Sequence, residues 1–165
     1  MGVIELKLWI IPLAALIPLI IGFIWYNPKV MGTVWMKETG LTEEKMQGAN
    51  MPLIFILSFV FAMLLAFAML GMTIHQLGYQ SLLSNEIGFG EEGSDVMIMF
   101  QNFMDSYGTN FRTFKHGALH GVVGGLFIAL PIIATNSMFE RKSWKYTWIN
   151  TGYWVITLGL MGGVV

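Results

Sequence analysis

The chain has 165 residues, of which 55% are hydrophobic and 12% charged, with a formal net charge of −1 and a mean hydropathy of +0.64. Soluble domains carry about 25% charged residues, so the composition excludes the ordinary soluble class, and nucleic acid is not an expected partner. With no cysteine, disulfides, iron–sulfur ligation and thiol catalysis are excluded, and any metal would have to be held by His, Met or carboxylate.

Taken in order, the chain opens with Glu5 and Lys7 ahead of a nineteen-residue apolar stretch, 8–26, with no small-residue cleavage site after it. This reads as a retained anchor rather than a leader peptide. Further uncharged stretches run over 51–74, 117–139 and 147–165, and each is long enough to cross a hydrocarbon core of ~30 Å at about 1.5 Å per residue. The expected fold is therefore an all-α bundle of four transmembrane helices forming a single domain. Pro18 and Pro131 lie inside these stretches, remove the bonds to the carbonyls of Ala14 and Phe127, and predict kinks.

Between the first two stretches, Asn27-Pro28 stops a helix and Leu41-Thr42-Glu43-Glu44 resembles a helix start with Thr42 as N-cap. The loop over 75–116 is too long for a simple connection. Its first part, Gln76 to Gly93, contains Gly78, Gly88, Gly90 and Gly93 and reads as mobile. In its second part, Val96, Met99, Phe100, Phe103, Met104 and Tyr107 recur at three- and four-residue steps after Ser94. That spacing predicts an amphipathic helix capped by Ser94, lying on the membrane interface or against the bundle ends.

Lys29, Lys37 and Lys45 fall in the first loop, and Arg141, Lys142 and Lys145 lie between the last two stretches. Cytoplasmic loops retain positive charge, so both termini and the long loop are expected outside. Trp25, Tyr26, Trp35, Trp144, Tyr146 and Trp148 flank the same boundary, as an aromatic belt does.

Three constellations have the residue types for binding or packing. Gly117, Gly121 and Gly125 repeat at four-residue spacing and predict close backbone contact, within the bundle or, alternatively, across a homodimer face. All three histidines of the chain, His75, His116 and His120, cluster at one boundary. Boundary histidines bonded to backbone, water or headgroups are the preferred reading; neutral imidazoles holding Zn, Cu or a haem iron are the sharper one. At the opposite boundary Trp25, Tyr26, Asn27, Asn136, Glu140 and Asn150 form a candidate polar or ligand cluster, with an interfacial hydrogen-bond cluster preferred. No catalytic motif stands out, and no cofactor is assigned.

The run Gly22-Phe23-Ile24-Trp25-Tyr26-Asn27-Pro28 followed by Gly32 and Trp35, and the stretch through Pro131, Asn136, Phe139, Glu140, Arg141, Asn150, Gly152 and Tyr153, resemble the bacterial membrane family of domain of unknown function 1761. The resemblance covers nearly the whole chain, although the long second loop departs from the family's more compact members. It implies a small four-span bundle in a bacterial inner membrane, and it implies no activity, substrate or catalytic residue.

The expected function is a non-enzymatic accessory or scaffold subunit of the bacterial envelope, with the lipid bilayer and a membrane protein or a second copy as partners. A small oligomeric transporter or channel is the alternative, and a haem or metal protein using the three histidines is the second alternative.

Overall fold

The structure is a computed structural model and describes residue 4 and residues 6–165. Glu5 lies outside the described residues, as does the side chain of Glu43. Among the described residues every regular element is helical.

Helix α1 (Ile10–Trp25) is shorter than the predicted 8–26 and ends where Asn27 turns extended. The side chain of Asn27 accepts from Lys29 N, and a π-helical turn (Pro28–Gly32) leads into α2 (Thr33–Thr39), which is bent by 53° from α1. Gly32 is required at this turn, because a Cβ there would strike the carbonyl oxygen of Tyr26. A short α3 (Glu43–Met46) starts as expected at Thr42, whose hydroxyl accepts from Lys45 N.

Helix α4 (Met51–Thr73) is capped by Asn50 and turns most of its surface outward, with Phe55, Phe61 and Phe67 each more than half exposed. The next segment differs from expectation. Residues 76–83, read as part of a mobile glycine-rich stretch, join His75 in α5 (His75–Leu83), because a break at Ile74 lets a new helix start at once. Helix α6 (Asp95–Tyr107) has Ser94 at its N-cap, the hydroxyl accepting from Met97 N. Its Val96, Met97 and Phe100 face is covered by Tyr79, Leu83 and Phe89 from the same loop, so α5 and α6 share a small core of their own.

Helix α7 (Phe114–Gly124) continues through a π-helical segment (Gly125–Ala129) into α8 (Leu130–Phe139). The wider turn answers the proline problem: Leu130 N bonds back to Gly125 O, and Pro131 enters at the start of α8 with its missing N–H absorbed. Helix α9 (Trp144–Val164) is the most enclosed, burying Thr147, Thr151, Thr157, Leu158, Gly159 and Met161.

Small residues set the closest approaches. Ala14, Ala66 and Met161 meet where α1, α4 and α9 cross. A Cβ at Gly117 would strike the carbonyl of Gly162, one at Gly121 that of Leu158, and one at Gly125 would come 2.6 Å from Val155 Cα. The glycine repeat thus seats α7 on α9 inside the chain, bringing backbones into contact where larger residues would hold them apart.

Two helical stretches, Met51–Thr73 and Phe114–Phe139, are long and apolar enough to cross a membrane, or three if the bent pair Ile10–Trp25 and Pro28–Thr39 counts as one span. Helix α9 is long enough at 21 residues but less apolar. The loops on either side of the bundle's cation-rich end touch: Lys142 Nζ donates to Thr39 O at 3.2 Å, and the Ser143 hydroxyl donates to Glu38. The first and third loops therefore share one side of the molecule.

A candidate three-histidine metal centre

The histidines are positioned by two helix starts. The chain leaves α4 through Ile74 in an extended conformation, which makes His75 the first residue of α5. On the other side Thr113 caps α7 by accepting from His116 N at 3.3 Å, so His116 lies in the first turn and His120 one turn further on. A spacing of four puts both rings on one face of the helix.

The ends of these helices are tied together by Gln76. Its amide nitrogen donates to Tyr107 O at 3.2 Å and to Asn110 O at 2.9 Å, joining the start of α5 to the end of α6, while its Oε1 is buried with no partner among the described residues. Phe111 packs its ring 4.9 Å from His116 and edge-on to His75 at 6.0 Å. It does so with φ of 63°, a left-handed conformation that a bulky residue adopts only when its surroundings hold it there.

The three imidazoles point Nε2 atoms at one another. His75 Nε2 lies 2.8 Å from His116 Nε2, and His120 Nε2 lies 3.1 Å from it. All three ligand atoms fall within 4.8 Å of one another. Neutral imidazoles cannot satisfy this arrangement fully: Nε2 of His116 offers either one proton or one lone pair, and two neighbours face it. A cation removes the conflict, since three lone pairs can then share one acceptor.

The His75–His116 and His116–His120 separations come close to those a small ion needs. At a metal–nitrogen bond of about 2.0–2.1 Å, a tetrahedral ion separates its ligand nitrogens by ~3.3 Å. Two of the contacts are a few tenths of an ångström inside this value, a correction that small ring rotations supply. Three protein nitrogens leave a fourth position free. Beside the cluster a cavity of about 320 Å³, lined by His75, Gln76, Phe103, Tyr107, Asn110 and Phe111, provides room for a fourth ligand. A haem fits less well, because His116 Nε2 stands within bonding reach of both other rings, where an iron and its porphyrin would need clear space.

The polar cluster expected at the other end divides. Tyr26 donates its hydroxyl to Asn150 Oδ1 at 2.9 Å, and Trp25 Nε1 donates to Ile149 O at 3.1 Å, so Trp25, Tyr26 and Asn150 do meet. Asn27 is used locally at its turn, while Asn136 and Glu140 are exposed and joined to the others by no hydrogen bond. Sequence reasoning missed Tyr153, whose hydroxyl donates to Pro18 O at 2.9 Å, and also Gln76 and Phe111 beside the histidines. A phenol in the middle of an apolar stretch was the one available signal for Tyr153; Gln76 and Phe111 carry none.

A family model described as protein of unknown function (DUF1761) matches residues 9–165, and the chain belongs to that family. No curated protein and no solved structure matches the chain.

Proposed function

We propose that this member of the family is a four-span protein of the bacterial cytoplasmic membrane that holds one transition-metal ion, Zn or Cu, on His75, His116 and His120 and serves as a metal-holding accessory subunit. The observation that carries the reading is the convergence of three Nε2 atoms from two separate helix starts. Imidazole nitrogen suits both metals, and among the described residues the cluster contains no carboxylate to favour a harder ion.

The four-span arrangement adds α1 and α9 to the two most apolar spans. It is supported by the position of α9 in the middle of the bundle, where helix-facing positions in membranes take small and polar residues and lower the mean hydropathy. Orientation follows from the cations. Loops one and three carry Lys and Arg on one shared side, so that side is cytoplasmic and the histidines, together with the α5–α6 hairpin, lie outside.

An ion held by three nitrogens keeps one position open, and with a cavity beside His75 for a further ligand it can be shared with, or passed to, a partner, which is how metal holding and an accessory role combine. The transport reading draws less support. Asn136 and Glu140 sit roughly 25–35 Å along a nearly continuous helix from His120 and His116 and do not join them in one path.

The test is elemental analysis of protein extracted from metal-replete cells. About one equivalent of Zn or Cu per chain is expected, and protein that stays metal-free after incubation with either ion overturns the assignment.

A further inference from the structure

At the opposite end of the molecule from the histidines, a cavity of about 740 Å³ lies between α1 and α4, with Tyr153 of α9 in its wall. Small side chains make the space. Gly22 contributes none, and a Cβ there would still lie 3.7 Å from the ring of Tyr153, while Ser58 and Ala62 leave the facing side of α4 thin. Phe23, 80% exposed, and Phe55, 53% exposed, stand at the rim, so the cavity opens sideways through the apolar outer surface rather than toward loops.

Its length selects the occupant. Along α4 the lining runs from Met51 to Leu65, which is ~20 Å of helix and close to one leaflet of a bilayer ~40–45 Å thick with its headgroup regions. Its boundary end is closed by Asn27, Pro28 and Trp35. There Tyr26 bonds Asn150, and deeper in the wall Tyr153 bonds Pro18 O, whereas Trp35 Nε1 is enclosed with no partner among the described residues. Indole N–H is a donor only, and burying it without an acceptor is unfavourable.

We propose that this cavity is a binding site for one acyl chain of a glycerophospholipid of the surrounding bilayer, whose ester carbonyl accepts from Trp35 Nε1 after a small turn of the ring. The lengths agree: the apolar part runs to mid-bilayer, and the donor stands at the boundary where ester groups lie. A long isoprenoid tail would overrun the leaflet-deep space. A vacant apolar cavity of this size would also forfeit the dispersion contacts of its walls, which a chain of the bilayer restores. The inference rests on the membrane part of the proposed function and not on the metal.

Native mass spectrometry of the full chain, extracted in mild detergent from its own membrane, tests it. The expected result is one phospholipid retained per chain, retention weakened roughly fivefold in Trp35→Phe, which keeps the ring and removes the donor, and nearly all of it lost in Ser58→Phe, which fills the space. Metal content and helicity should be unchanged in both variants. If Ser58→Phe does not fold, Ile54→Trp at the half-exposed rim replaces it as the blocking change. The proposal is overturned by wild-type protein free of phospholipid, by an isoprenoid adduct in its place, or by equal retention in the blocked variant. Protein recovered in the aqueous fraction without detergent would instead remove the membrane reading, and metal-free protein that keeps its lipid would remove only the metal reading.

Discussion

The Nε2 atoms of His75 and His116 lie 2.8 Å apart although 41 positions of chain separate them. The contact exists because a helix break at Ile74 and a helix cap at Thr113 face each other across the end of the bundle. If the pair and His120 form one metal site, His116→Ala, which removes the central ligand, should weaken metal affinity by ~100-fold or more. Competition against a chromophoric chelator measures this, and His75→Ala and His120→Ala should follow in the same direction. Since protons compete for the same nitrogens, the ion should be released as pH falls. Unaltered affinity in all three variants would remove the site.

The glycine seam predicts a contrast between two helical glycines. A Cβ at Gly121 would strike the Leu158 carbonyl, whereas one at Gly78 meets nothing within 4 Å. Gly121→Ala should therefore destabilise by about 1–3 kcal/mol through forced separation of α7 and α9, and Gly78→Ala should stabilise by up to about 1 kcal/mol through reduced chain entropy. Thermal midpoints in a single detergent provide the comparison; a Gly121 variant as stable as wild type would contradict the seam.

Tyr26 and Asn150 tie the end of α1 to α9. Tyr26→Phe leaves Asn150 Oδ1 without its donor and should cost about 1 kcal/mol, or roughly 2–4 °C in Tm. The double variant Tyr26→Phe/Asn150→Leu should lose less than the sum of the two single changes, because the second removes the orphaned acceptor. Strict additivity would mean that the bond contributes nothing.

Ser143 serves two partners. Its hydroxyl accepts from Tyr146 N as the cap of α9 and donates to Glu38 on α2. Ser143→Ala should destabilise by about 1 kcal/mol as a lost cap and also speed tryptic cleavage at Lys37 and Lys45, because the first loop loses its hold on the third. Cleavage at the wild-type rate would show that the Lys142 contact alone holds the loops together.

Much of the helical architecture was legible because it is local. Asn27-Pro28, Thr42 and Ser94 marked helix boundaries by their own chemistry, and the four-residue glycine repeat marked the backbone contact of α7. Helix α5 was hidden because Gly78 sits in open space, where glycine is tolerated without being needed, and the same composition also suits a loop. Helix α1 runs shorter than its apolar stretch, since apolarity reports the environment of a segment and not where its backbone bonds start. The histidines were visible as a cluster at one boundary, but their convergence depends on the direction of α5 after Ile74, which no local pattern encodes. The grouping of Asn136 and Glu140 with Tyr26 rests on a shared boundary and assumes that their helices adjoin; the exposed end of α8 leaves them apart.

Helix α9 is the least greasy of the long helices and the most enclosed by protein, with threonines and glycines where its neighbours carry leucine and phenylalanine. Under the proposed four-span arrangement this separates insertion from assembly. The other spans can leave the translocation machinery on their own hydrophobicity, whereas α9 gains little from lipid and must find the α7 groove to be held. A defect in that groove would therefore surface first during biogenesis, as chains in which α9 fails to integrate and is cleared by membrane proteases, before any ligand is bound.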